Sequence, residues 1–242
     1  MGNSRGLDRR SAGDGDPHLH SAIAPAHAVL FDFDFTLADS SAGVVVCMNH
    51  ALGRLGLPPA PADAIRRTIG LDLHTALRIL AGEEWSSREE EFFEHFVRKA
   101  DEVMVASTSF LPGALHVLRA LRDAGYLVGV VTTKYRHRVE DVLERDGLRG
   151  VVDVVVGVDD VPRAKPAPDG LVRAAGVLEV SVGDCVFVGD SEVDAMAARA
   201  AGMGFVAVLS GTTGGEVFAR YPAKAVLGGV GEILDTPSNT RS

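Results

Sequence analysis

Apolar, β-branched runs recur along the chain, and each ends in a small or polar residue. They are AVLFD (28–32), LVGVVTT (127–133), VVDVVVG (151–157), CVFVGD (185–190) and GFVAVLS (204–210), with a shorter run KAVLGGV (224–230). The residues Ala28-Val29-Leu30-Phe31 do not alternate with polar ones, which is the pattern of a strand covered by helices on both faces. Helical periodicity fills the gaps. LPGALHVLRALRDAG opens at Pro112, closes at Gly125 and places Leu115, Leu118 and Leu121 on one stripe. RHRVEDVLERDGL follows the second run, while DGLVRAAGVL and DAMAARAAGM bracket the fourth. Strands alternating with helices at this spacing predict an α/β fold, a doubly wound parallel sheet.

Residues 41 to about 106 break that rhythm. VVVCMNHALGRLG, ADAIRRTIG, LHTALRIL and REEEFFEHFVRKADEVMV all carry helical patterns, and Phe92, Phe96, Val103 and Met104 form an apolar stripe. The predicted organisation is therefore a loose N-terminal tail (1–26), a sheet domain (27–40 and 108–235), an inserted helical cap (41–107) and a flexible C-terminal tail (236–242). An insert that leaves and rejoins at one sheet edge is placed to close over that edge.

Charge changes the picture only by exclusion. Net charge is −9 with no basic patch, which argues against nucleic acid and anionic membrane surfaces as partners. No apolar run approaches the roughly 20 residues of a membrane span, and the first 26 residues lack a signal-peptide core. Two distant cysteines, Cys47 and Cys185, suit a reducing compartment, so the expected location is cytoplasmic.

The chemistry lies at the strand ends, where ligands bind in open parallel sheets. Asp32 and Asp34 end the first run between phenylalanines, Thr132 and Thr133 end the second, Lys165 follows the third, and Asp190 ends the fourth with Asp194 just beyond. Two ionised carboxylates about 6 Å apart repel by about 3 kcal/mol at an effective dielectric near 20. A divalent cation such as Mg²⁺, which prefers oxygen ligands that Asp32 and Asp190 can supply, would offset that repulsion between Asp32 and Asp34. Asp32 then suits attack on phosphorus, and Asp34, two residues on and pointing the same way, suits proton transfer to and from the leaving oxygen and water. Lys165 and Thr132 suit the phosphoryl oxygens.

FDFDFTLADS, VVTTK, KPAPDG and VGDSEVDAMAARAAGM resemble, in order, the four motifs of the haloacid dehalogenase (HAD) superfamily, from about Ala28 to about Leu234. The resemblance implies a Rossmann-like core with a four-helix-type cap. It also implies Asp32 as nucleophile, Asp34 as acid/base, and Thr132 and Lys165 on the phosphate. Mg²⁺ would lie on the Asp32 carboxylate, the Asp34 main-chain carbonyl and Asp190, with Asp194 in support. An acid at Asp34 is the phosphatase pattern, since the dehalogenase branch lacks one there. The cap stretches NHALGRLGLP and TIGLDLHTAL are similar to phosphoglycolate phosphatases, which makes 2-phosphoglycolate the leading substrate among small phosphorylated metabolites. Two positions depart from the pattern: Phe35 stands where the family usually has glycine, and Thr133 stands where phosphoglycolate phosphatases often have asparagine.

Two alternatives stay open. One is a phosphomutase of the β-phosphoglucomutase type; such enzymes tend to carry a histidine just after the first motif, where SSAGVVV has none. The other is a non-enzymatic phospho-accepting module. Arg66, Arg67, His74 and Arg78 of the cap are candidates for a substrate carboxylate, and the chain is expected to act as a monomer or homodimer.

Overall fold

A computed structural model describes residues 19–234. Six parallel strands form one sheet in the order β5-β4-β1-β6-β7-β8: β1 (Ala28–Phe31), β4 (Leu127–Val131), β5 (Val154–Val156), β6 (Cys185–Gly189), β7 (Gly204–Val208) and β8 (Ala223–Leu227). Each apolar run of the sequence supplies one strand. The two-residue side-chain period then divides each strand between two cores. Val29, Phe31, Val128, Val130, Val186 and Val188 face one layer, where they meet Val117, Leu118 and Leu121 of α5 (Ala114–Asp123) and Val139 and Val142 of α6 (Arg136–Arg145). Leu30, Val131, Val156, Phe187 and Phe205 face the other, against Leu171 and Ala174 of α7 (Asp169–Val177) and Ala195 and Ala198 of α8 (Glu192–Ala201). Strand β1 lies between β4 and β6, in register Val29↔Val128 and Val29↔Val186, so its carboxyl end opens at the middle of the sheet.

The insert consists of α1 (Ser41–Arg54), α2 (Ala62–Arg66), α3 (Leu73–Ala81) and α4 (Glu89–Val103), packed around a separate apolar cluster that includes Met48, Leu52, Leu77, Phe92 and Phe96. Its base holds a feature that periodicity does not predict. Two residues on each side, β2 (Ala38–Asp39) and β3 (Ser109–Phe110), pair antiparallel and tie the entering and leaving chains together. Strands this short carry no readable alternation. The remaining short helix, α9 (Gly215–Phe218), follows β7.

The N-terminal expectation needs correction. Residues 19–26 are not loose: Ile23 is fully buried, Ala22 and Ala26 join the larger core, and Leu19 bridges Leu234. The amide of His20 donates to the Ile233 carbonyl at 2.9 Å, and Tyr126 Oη donates to the Ala24 carbonyl at 3.1 Å. One isoleucine and two alanines in a polar leader give no period, yet they cover an open end of the sheet layer. Residues 1–18 and 235–242 lie outside the described residues.

Candidate active site at the sheet rim

The chain leaves β1 through a tight turn. Asp32 stays in register, its amide donating to the Val188 carbonyl at 2.9 Å, and the Phe33 carbonyl then accepts from the amides of Leu37 and Ala38. Phe35 sits in the left-handed region, at φ 59°. That explains the glycine habit at this position: a side chain there costs about 1 kcal/mol. Its main chain is held on both sides, the amide by the Ala38 carbonyl at 2.7 Å and the carbonyl by Ser210 Oγ. Phe35 is not among the residues lining the nearby cleft.

The structure brings Asp32, Asp34, Thr132, Lys165, Asp190 and Asp194 to this one rim, and Asp32, Asp34, Thr132, Asp190 and Asp194 are all buried. Lys165 Nζ lies 2.5 Å from Asp32 Oδ1 and 2.6 Å from Asp194 Oδ1, and 5.5 Å from the centre of the Phe187 ring. Asp194 owes its orientation to the start of α8. Ser191 is the N-cap, its hydroxyl accepting from the Asp194 amide at 3.2 Å. Asp194 Oδ2 in return accepts from the Ser191 amide at 3.1 Å and hydroxyl at 2.6 Å. Asp190 Oδ1 accepts from Thr36 Oγ1 at 3.1 Å. Gly211 packs so closely that a Cβ there would lie 1.8 Å from Asp190 Oδ2. Asp34 turns to the other side: Oδ1 accepts from Ser40 Oγ and Oδ2 pairs with Lys134 Nζ at 3.0 Å. Thr132 Oγ1 accepts from the Lys134 amide at 3.2 Å.

Burial dominates the electrostatics. It pushes the Asp32 carboxyl up to about 7, against the pull of Lys165 and helped by the Asp194 charge. Burial and the neighbouring Asp194 and Asp32 likewise hold Asp190 well above the usual carboxylate range. Burial alone would lower Lys165, but Asp194 and Asp32 raise it above an ordinary lysine. Crowded, buried carboxyls thus hold their protons more tightly here than free ones do.

That donor set fits a hard divalent cation. Asp32, Asp190 and Asp194 offer oxygens within 4.8 Å of one another. Both oxygens of Asp194 are engaged, whereas Asp32 and Asp190 each keep one oxygen with no hydrogen bond among the described residues. All donors are oxygen, as Mg²⁺ prefers.

Between rim and insert lies a cleft of about 190 Å³, bordered by Asp34, Thr133, Lys134 and Arg138 on the sheet side. Of the four cap candidates, His74 lines it, stacked on Phe93 at 5.9 Å with Nδ1 3.2 Å from Glu89. Arg78 is occupied by Glu89 and Glu83, and Arg66 and Arg67 are exposed away from it. Sequence reasoning missed Thr36, Ser40, Lys134, Arg138 and Gly211. Thr36, Ser40 and Lys134 stood inside the motif stretches FDFDFTLADS and VVTTK without a role read for them; Arg138 and Gly211 carry no local signal, because their partners are distant in sequence.

The family profile described as haloacid dehalogenase-like hydrolase matches residues 29–208. This chain belongs to that family. It is 32% identical over 184 residues to a phosphoglycolate phosphatase of Xanthomonas campestris pv. campestris, covering 76% of this chain and 83% of the relative. It is 34% identical over 193 residues to the plasmid phosphoglycolate phosphatase of Cupriavidus necator, covering 78% and 84%. A haloacid dehalogenase-like hydrolase structure from Bacteroides fragilis superposes with a TM-score of 0.82 at 36% identity, over 86% of this chain and 99% of that one. The parallel sheet is thus that of the family. No helix among the described residues is long and apolar enough to cross a membrane.

Proposed function

We propose that the protein is a Mg²⁺-dependent phosphatase that hydrolyses a small phosphomonoester, 2-phosphoglycolate first among them, through an aspartyl-phosphate on Asp32. The observation that carries this reading is the shared position of Asp32, Lys165, Asp190 and Asp194, with Asp34 beside them at the floor of the cleft. The relatives named phosphoglycolate phosphatase favour the substrate.

Asp32 and Asp190, with the Asp34 main-chain carbonyl and Asp194 in support, would hold Mg²⁺, which supplies positive charge against these carboxylates and the phosphate. Asp32 attacks phosphorus with its carboxylate oxygen, and the bond to the leaving oxygen breaks. Asp34, oriented by Ser40 and Lys134, gives that oxygen a proton. It then takes a proton from the water that attacks the aspartyl-phosphate, which frees phosphate and restores Asp32. Lys165 and Thr132 hold phosphoryl oxygens, while Asp194 keeps Lys165 in place. Thr133 borders the cleft where phosphate meets leaving group.

Phosphate release from 2-phosphoglycolate with Mg²⁺ tests the reading. EDTA and Asp32→Asn are each expected to abolish it, and full activity in Asp32→Asn overturns it. Trapping labelled phosphate on Asp32 under acid quench is the expected signature of the intermediate.

A further inference from the structure

We propose that Lys134 is the specificity residue of this site: its ammonium takes a carboxylate carried on the carbon next to the ester oxygen. The inference rests on the phosphatase reading, which puts the leaving oxygen at Asp34.

Three cationic or potentially cationic side chains border the cleft: His74, Lys134 and Arg138. Two have partners that play no part in the proposed chemistry. His74 faces Glu89, and Arg138 directs Nε and Nη2 to Asp101 Oδ1 at 2.9 and 2.6 Å and Nη2 also to the Val97 carbonyl at 3.2 Å. Lys134 differs. Its one carboxylate partner among the described residues is Asp34, at 3.0 Å, so the cation lies beside the atom that handles the leaving oxygen's proton.

The ammonium is also held where it is. The Lys134 amide donates to Thr132 Oγ1 at 3.2 Å, its carbonyl accepts from the Val158 amide at 2.9 Å, and Nζ lies 3.7 Å from Met104 Sδ beside α4. The side chain is only one-tenth exposed. A leaving oxygen within hydrogen-bond reach of Asp34, about 2.6–3.2 Å, puts its neighbouring carbon against Nζ. A carboxylate on that carbon meets the ammonium in a charge-assisted contact. Elsewhere on the cleft His74 and Arg138 are engaged by Glu89 and Asp101, Val44, Ile69 and Leu71 present hydrocarbon, and Asp72 presents a like charge. Position therefore matters as well as charge. A carboxylate one carbon more distant is expected to meet the ammonium less well.

The test compares kcat/KM for 2-phosphoglycolate, ethyl phosphate and 3-phosphooxypropanoate, with Mg²⁺, in the wild type, Lys134→Met and Lys134→Arg. The wild type is expected to favour 2-phosphoglycolate over both other esters by about 30-fold. Lys134→Met is expected to erase that preference, beyond a loss of kcat shared by all three esters as Asp34 loses its partner, and Lys134→Arg to restore part of it. Independently of any variant, glycolate is expected to inhibit wild-type hydrolysis of p-nitrophenyl phosphate at concentrations where ethylene glycol does not. The proposal is overturned if the wild type shows no preference, or if the preference survives in Lys134→Met. It is also overturned if Lys134→Met lowers all three esters by one factor, which would make Lys134 a partner of Asp34 alone. Failure of the wild type to release phosphate from any of these esters overturns the phosphatase reading itself, and this inference with it.

Discussion

The sheet rim and the helical insert solve opposite problems. At the rim, every acid is bonded to another rim group: Asp32 and Asp194 share Lys165, Asp190 takes Thr36, and Asp34 takes Ser40 and Lys134. The acids hang from the ends of β1 and β6 and the first turn of α8, and Lys165 reaches them from the loop before α7. The insert is held by its own apolar cluster, and its polar side chains mostly pair with each other, as in His74–Glu89–Arg78. Where it meets the sheet domain, α6 grips the end of α4 with two arginines: Arg138 takes Asp101 and the Val97 carbonyl, and Arg145 takes the Val105 and Thr108 carbonyls. The reacting groups and Lys134 sit on the sheet frame, while the opposite wall of the cleft sits on a separately packed unit. Such a wall can change without moving the reacting atoms.

The largest expected effect falls on the rim. Asp32→Asn keeps shape but removes the attacking charge, and should lower kcat by about 10³-fold or more while the circular dichroism spectrum stays unchanged. Gly211→Ala comes next. Its Cβ would overlap Asp190, so the Mg²⁺ concentration for half-maximal activity should rise by about 10- to 100-fold. Normal Mg²⁺ dependence in that variant would show that the rim gives way at the Gly211–Asp190 contact.

Without divalent cation, stability should depend on pH in a definite direction. Unfolded Asp32 loses its proton near 3.8 and the folded one near 7, so between these values the folded state holds the extra proton. Stability therefore falls as pH rises from about 4 to about 7, by a few kcal/mol, and Asp190 adds in the same sense. The raised Lys165 does not oppose this, because its contribution is fully present below the ordinary lysine range. Mg²⁺ should accordingly raise the melting temperature more at pH 8 than at pH 5. Melts in EDTA and in Mg²⁺ at both pH values check the sign.

The grip between the two regions gives smaller effects. Arg138→Met removes a nearly buried guanidinium and its bonds to α4, and should destabilise by about 1–3 kcal/mol by urea titration. KM should rise with kcat less affected, since the wall moves and the rim does not. His137→Ala is the control. On the same helix but half exposed, and 3.4 Å from the same Asp101, it should shift stability by less than about 0.5 kcal/mol.

The rim was legible because Asp32, Thr132 and Asp190 end apolar runs, while Lys165 stands beyond the third run in KPAPDG. Asp32, Thr132 and Asp190 follow β-branched stretches directly, and Asp194 follows Asp190 by one helical turn. The cap candidates were not legible in the same way. Arg66, Arg67, His74 and Arg78 look alike on a helical wheel, and only packing shows that His74 alone of the four lines the cleft. Ile23 in a polar leader and the two-residue strands at Ala38 and Ser109 carried too little pattern to read.

The sequence by itself determined the alternation of strands and helices, the helical insert, and which acids and hydroxyls stand at strand ends. Periodicity and chain direction suffice for that, since a parallel strand must deliver its last residue to one edge. Only the tertiary structure decided which groups touch: that Lys165 joins Asp32 to Asp194, that Gly211 lies against Asp190, and that Lys134 sits beside Asp34. Those contacts depend on strand order and on how two hydrophobic cores dock, and neither is written in any local stretch of residues.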